Sequence, residues 1–229
     1  MKLSVQSAMY AKHAQLMEAQ QQNYFDRPNE EVLSLIPEDV QRVLEVGCGG
    51  GATLRTLKES RLKERRICEV VGVDIEAGAI SRAKKYLDAA YLMNVEEEKL
   101  TDYPPGYFDL LIMQQVLEHF VNPWATLRQW LPLVRSGGYV IIGVPNIANY
   151  RLLKRLILKD EFAYEPFGIL DWTHLRFFTL TSFKELLTGA GLTIVESLGL
   201  AGKGLLSSKF GFLLHLFPAL NRFTYYAYV

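Results

Sequence analysis

The residues with the clearest chemical meaning lie in one short run, Glu45-Val46-Gly47-Cys48-Gly49-Gly50-Gly51-Ala52. Glycines at this density, between a β-branched run and a helix-like segment, let backbone amides approach a ligand that side chains would keep away. A nucleotide-like ligand is therefore expected across the loop. Gly47, Gly49 and Ala52 also satisfy the dinucleotide spacing G-x-G-x-x-G/A, so two cofactors fit, NAD and S-adenosyl-L-methionine. Glu45 separates them. Its carboxylate precedes the first glycine by two residues, where a diphosphate would add negative charge, whereas S-adenosyl-L-methionine carries an ammonium and a sulfonium and no phosphate. The charge favours the sulfonium cofactor. Asp74 closes the next β-branched run, at roughly the 20-residue offset where an acid meets ribose hydroxyls. Its alternative is an exposed strand-end acid that caps the following helix.

Proton transfer near neutral pH points to histidine, whose ordinary pKa lies closest to it. The chain has four. His13 and His215 stand far from the other motifs and are read as incidental. His119 follows Glu118 just beyond the fourth apolar run. His174 lies in Asp171-Trp172-Thr173-His174-Leu175-Arg176, a charged and aromatic cluster inside a segment that breaks the regular alternation of elements. Either histidine could act as a general base. Equally, Asp171, His174 and Arg176 could form a polar network that pins this segment to a sheet, with Trp172 and Phe177 as apolar anchors.

Such residues need a scaffold that brings strand ends together. From residue 40 onward, short β-branched runs alternate with helix-like segments, the pattern of parallel strands joined by helical crossovers. Strands are expected at 42–46, 69–75, 90–95, 108–113 and 139–144, and helices at 52–64, 77–87 and 123–134, the last with Asn122 as N-cap and Pro123 in the first position. After Pro145 the alternation breaks into a basic amphipathic stretch, 149–159. It resumes with a helix at 181–190, a stop at Gly191 and a strand at 192–197. The expectation is an α/β doubly wound sheet forming a single domain over 1–229, with an N-terminal helical segment at 1–39 and an insertion at 146–180.

Composition narrows the partners. Lys+Arg and Asp+Glu both number 25 in 229 residues, so no basic field exists to attract nucleic acid. Cys48 and Cys68 are too few for a disulfide scaffold and lack neighbours at metal-ligand spacing, so no metal is expected. Residues 1–22 lack the apolar stretch of a signal peptide. The uncharged run 210–221 is about half of what a membrane-spanning helix needs. A cytoplasmic protein is expected. The basic stretch 149–159 and the apolar run 210–221 raise peripheral membrane contact as one reading, against ordinary packing of the helix on its own domain. Nothing in the sequence sets an oligomeric state.

The chain resembles the class I S-adenosylmethionine-dependent methyltransferases, in their bacterial small-molecule and glycan-type subgroup. The resemblance rests on VLEVGCGGG (43–51), VVGVDI (70–75), FDLLIMQQVLEHFVNP (108–123), GGYVIIGVPN (137–146) and GILDWTHLRFFT (168–179). It implies a Rossmann-like, seven-stranded, mostly parallel sheet with an insertion after strand 5 and a final antiparallel hairpin, 192–198 against 223–229. It also implies that Gly47, Gly49 and Gly51 approach the cofactor's methionyl and ribose portions, that Asp74 takes the ribose hydroxyls and that Ile75 packs on adenine. Where the family usually has an acid for the adenine amine this chain has Asn94, with Val95 beside it. Gln114 and Gln115 would line the methionine end, and Tyr24 and Arg27 would belong to a helix covering the cofactor. The activity implied is methyl transfer to a small-molecule, glycan or lipid-linked acceptor, more readily at oxygen. That displacement needs positioning and exclusion of water rather than a metal, and a hydroxyl acceptor gains from a base. The competing readings are an NAD-dependent oxidoreductase and a non-catalytic S-adenosylmethionine-binding regulatory protein.

Overall fold

Runs of Val, Leu and Ile too short for helices pair side by side in the computed structural model, which describes residues 27–200 and 226–228. β1 (Arg42–Val46), β2 (Glu69–Asp74), β3 (Ala89–Leu92), β4 (Phe108–Gln114) and β5 (Val134–Pro145) form a parallel sheet in the order β3-β2-β1-β4-β5. Alternate residues of each strand serve opposite faces. Leu44, Val46, Val71, Val73, Leu111 and Met113 pack in one core with Leu127, Trp130, Phe183 and Leu186. Val43, Val70, Leu110 and Ile112 pack in the other with Val32, Leu54, Leu57 and Ile80. Helices therefore cover both faces, which is why the central strands are nearly all apolar.

The helices are α1 (Glu30–Leu35), α2 (Ala52–Lys63), α3 (Ala77–Ala83), α4 (Pro123–Trp130), α5 (Tyr150–Lys159) and α6 (Leu180–Gly189). Side chains set most of their starts: Asn29, Glu76, Asn122 and Asn149 each accept from a first-turn amide, and Thr179 with Ser182 forms a capping box.

Several boundaries differ from the sequence expectations for local reasons. α4 stops at Trp130, because Leu131–Leu133 tightens into a 3₁₀ turn around Pro132, and β5 begins at Val134 opposite Phe108. α3 ends at Ala83, whose carbonyl accepts from the Tyr86 and Leu87 amides in a closing turn. β3 ends at Leu92, ahead of a turn built on Asn94. The strand expected at 192–197 does not form. The Leu192 amide folds back to the Leu187 carbonyl, and Val195 beyond it is 91% exposed. Short strands follow at Leu198–Leu200 and Tyr226–Tyr228. The remainder of the expected hairpin, most of the N-terminal segment, Tyr24, His13, His215 and the run 210–221 lie outside the described residues.

The insertion leaves the sheet at Asn146 and returns at Phe178. These two residues form a parallel bridge, and the Ile147 amide donates to the Phe178 carbonyl at 2.9 Å. Its neck is thus closed, and what lies between is held above the C-terminal ends of β4 and β5.

Candidate active site

The sheet reverses direction of growth between β1 and β4, and open α/β sheets bind ligands at such a point, beyond the carboxyl ends of the strands. The glycine loop occupies this place. Gly47, Gly49 and Gly51 all take left-handed φ, at 75°, 53° and 79°, where a side chain would be strained. A Cβ on Gly47 would also lie 2.1 Å from Val116 Cγ1, so the loop is pressed against the turn that follows β4. The Gly47 and Cys48 amides donate to the Val73 carbonyl, and the Gly49 amide donates to Asp74 Oδ2 at 2.8 Å. Asp74 Oδ1 accepts from Glu76. Asp74 is partly open, and its carboxylate has further lone pairs for a ligand.

Glu45, beneath the loop, is 5% exposed, and among the described residues nothing hydrogen-bonds its Oε2. Burial, with a smaller contribution from the Asp74 charge, pushes its carboxyl up to about 8. Ile75 stands 70% exposed past the end of β2.

Across the switch point, Leu117–His119 forms a 3₁₀ turn after β4, and the insertion is stitched to it. The Glu118 carbonyl accepts from the Leu175 and Arg176 amides, and the Arg176 guanidinium bonds the Val121 carbonyl. His119 and His174 meet edge to face with ring centres 4.8 Å apart. Nδ1 of His119 lies 3.3 Å from the Thr173 carbonyl, and Nδ1 of His174 lies 2.9 Å from the Ile169 carbonyl. A carbonyl can only accept, so each Nδ1 carries a proton, and the His119 ring, when neutral, presents Nε2 as an acceptor. His174 is buried and its Nε2 lies 4.0 Å from Glu118 Oε1, whereas His119 is exposed. Partial desolvation of the ring and the proximity of His174 hold His119 below the ordinary imidazole range.

Glu118 is 1% exposed, and neither carboxyl oxygen has a hydrogen-bond partner among the described residues. Burial pushes it up to about 8, with the Asp171 charge adding to the effect. Glu118, His119 and His174 each offer a nitrogen or oxygen donor atom, all within 4.8 Å of one another.

Comparison with known proteins agrees with this geometry. The family profile described as a methyltransferase domain matches residues 17–197. The chain belongs to the methyltransferase-domain family. The ubiquinone biosynthesis O-methyltransferase of Neisseria meningitidis serogroup A is 28% identical over 167 residues, covering 70% of this chain and 67% of that protein. That of Alkalilimnicola ehrlichii is 30% identical over 139 residues, covering 58% and 53%. Among solved structures, the methyltransferase bound to the Trm112 activator of Haloferax volcanii superposes with a TM-score of 0.63 at 16% identity, covering 95% and 94%. A methyltransferase of Archaeoglobus fulgidus gives 0.56 at 18%, covering 87% and 89%. The structural likenesses establish a Rossmann-like methyltransferase fold.

S-adenosylmethionine is the cofactor of this methyltransferase, and the oxidoreductase and non-catalytic readings fall away with that membership. The residues present fit it: a loop of three glycines in left-handed conformations, an acid at the end of β2, an open apolar side chain beside it and a buried carboxyl oxygen with no hydrogen-bond partner among the described residues. One premise needs correction. Glu45 is not a standing negative charge in the ligand-free methyltransferase, because burial keeps it protonated at neutral pH.

The other expected positions divide. Gln114 ends β4, paired with Gly143, and Gln115 follows in a left-handed conformation, φ 54°. Asn94 Oδ1 already accepts from the Glu96 amide, leaving one lone pair for adenine. Val95 is given to the core, and its carbonyl accepts from Trp130 and Gln129. Asp171 Oδ1 accepts from the Thr173 amide and hydroxyl, and Arg176 bonds the Val121 carbonyl. Sequence reasoning passed over Glu118. Its signal was a lone acid following Val116 and Leu117 and two residues ahead of Phe120, a stretch whose apolar side chains turn inward.

Proposed function

We propose that this methyltransferase transfers a methyl group to a hydroxyl of a small-molecule, glycan or lipid-linked acceptor, with His119 as general base. The observation that carries the reading is the tautomer of His119: Nδ1–H is committed to the Thr173 carbonyl, so Nε2 is left as a neutral acceptor. The names of the curated relatives, O-methyltransferases, support oxygen as the target. S-adenosylmethionine supplies the electrophilic methyl carbon when bound. His119 Nε2 takes the acceptor's hydroxyl proton as the oxygen is methylated. His174 acts as a positioning residue, its ring fixed by the Ile169 carbonyl and set against His119. Gly47, Gly49 and Gly51 hold the cofactor's methionyl and ribose portions, Asp74 binds the ribose, and Ile75 packs on adenine beside Asn94, where Val95 has only its backbone amide to offer. Gln114 lines the methionine end.

In this reading the protein is one cytoplasmic domain, in keeping with two buried free cysteines. No helix among the described residues is long and apolar enough to cross a membrane. The sheet closes to seven strands, a reading supported by the antiparallel register of Tyr226–Tyr228 with both the end of β5 and Leu198–Leu200.

The test is a methyl-transfer screen on phenols, sugars and glycolipids, followed by His119→Ala on the best acceptor. Turnover should fall about 100-fold with cofactor affinity unchanged. Full activity of the variant overturns the assignment of the base. Loss of activity on adding EDTA to the native protein would instead assign the same cluster to a divalent cation.

A further inference from the structure

We infer that the face formed by α5 and the loop after it is a docking surface for an anionic lipid bilayer. This goes beyond the methyl-transfer reading and does not depend on the acceptor. α5 contains Leu152, Leu153, Leu156, Ile157 and Leu158, yet only Leu152 is buried. Ile157 and Leu158 are 76% and 69% exposed. The loop that follows adds Phe162, Tyr164 and Phe167, all exposed. Single exposed apolar residues need no explanation, but a contiguous group on one helix and its adjoining loop marks an interaction surface.

Charge selects the occupant. The helix carries Arg151, Lys154, Arg155 and Lys159 and no acid, and the loop adds Asp160, Glu161 and Glu165, which leaves the face with one net positive charge. Arg155 is satisfied internally by Glu161 and Glu165. Arg151 is turned onto Tyr150, and no ion pair to an acid is formed by Arg151, Lys154 or Lys159 among the described residues. An amphipathic helix with large apolar residues between unpaired cations is the pattern that lies in the headgroup region of anionic membranes. A second copy of the chain is a poorer fit, because a two-fold contact through this face would set the same cations against themselves.

The surface is also continuous with the candidate active site. Phe162 lies 6.0 Å from Phe177, Phe177 lies 6.5 Å from His174, and His174 lies 4.8 Å from His119, ring centre to ring centre. A bilayer resting on α5 would therefore sit at the outer end of a row of rings that leads to the proposed base.

The experiment is flotation of the full chain with phosphatidylcholine vesicles, with and without about one-third phosphatidylglycerol. Binding is expected to the anionic vesicles only, falling as salt rises. Ile157→Asp with Leu158→Asp should lower partitioning by roughly 100-fold. Lys154→Glu with Lys159→Glu should lower it by roughly tenfold or more. Both pairs should retain the native affinity for S-adenosylmethionine in calorimetry, which reports an intact fold and keeps this test separate from the methyl-transfer assay. The inference is overturned by absence of binding to anionic vesicles, or by binding that both pairs leave unchanged, which would place the contact elsewhere on the chain. It is equally overturned if the chain sediments as a dimer that Ile157→Asp with Leu158→Asp dissociates, with no vesicle binding.

Discussion

The two ends of the parallel sheet treat buried carboxyls in opposite ways. At the start of β4, Asp109 accepts from the Gln41 and Arg42 amides at 3.0 and 2.9 Å and from Arg135 Nε at 2.8 Å, with the Arg42 guanidinium at 3.7 Å. Burial alone would raise it, but the Arg135 bond and the two amides outweigh that and hold it below its usual value. At the other end, among the described residues, nothing hydrogen-bonds Glu45 Oε2 or either oxygen of Glu118, and both buried acids are pushed up to about 8. Native proteins rarely leave such groups without partners, and the exceptions concentrate where a ligand or a reaction supplies what is missing. One end of the sheet satisfies its buried acid with donors, and the other, among the described residues, leaves acid oxygens without them.

The pH dependence of stability should expose this contrast, and the largest effect is expected there. Glu45 and Glu118 have folded-state values above their unfolded ones, so between about pH 4.5 and 8 the folded chain binds more protons than the unfolded chain. Stability therefore falls as pH rises through that window, with a slope approaching about 1.4 kcal/mol per pH unit for each acid. Asp109 works the other way, contributing stability above its unfolded value that is lost as pH falls through the depressed one. Urea denaturation of the cofactor-free protein from pH 5 to 8 measures the slope, and Glu118→Gln should remove about half of it. A flat native profile would mean that the acids at the ligand end are solvated after all.

Removing the satisfied acid should give the next largest effect. Asp109→Ala leaves two backbone amides and Arg135 without their acceptor, and is expected to cost about 2–3 kcal/mol, discounted for the partial exposure of Arg135 and Arg42. Chemical denaturation reads that loss, while calorimetry should find affinity for S-adenosylmethionine within about twofold of native. A matching fall in affinity would show that the two ends of the sheet are not separable.

These differences also explain what the sequence could reveal. The glycine loop and the five parallel strand runs follow from local rules, positive φ at Gly47, Gly49 and Gly51 and near-continuous apolar burial in β4, and they are legible in the sequence. The end of α4 at Pro132 was signalled as well, but an amphipathic run obscured it. The site depends on contacts between distant residues. The pairing of His119 with His174 joins positions separated by the whole of β5 and the insertion, and the orphaned state of Glu118 follows from what fails to reach it. Residue types cannot announce that. Glu45 shows the same limit: its identity is visible in the sequence, but its protonation is set by burial.

That protonation state makes the final prediction, the smallest in energy and the most specific to the cofactor. Placing an ammonium or sulfonium near a buried carboxyl stabilises its charged form and typically lowers its pKa by 1–3 units. Binding of S-adenosylmethionine at pH 7 should then release most of one proton from Glu45. Calorimetry in two buffers of different ionisation enthalpy counts that proton directly. Glu45→Gln should abolish the release and weaken binding by about tenfold, since the cation loses a charged partner in a poorly solvated place. Equal heats in both buffers for the native protein would show that Glu45 stays neutral beside the ligand. The contrast between the ends of the sheet would then rest on Glu118 alone, placing the functional asymmetry on the acceptor side of the switch point.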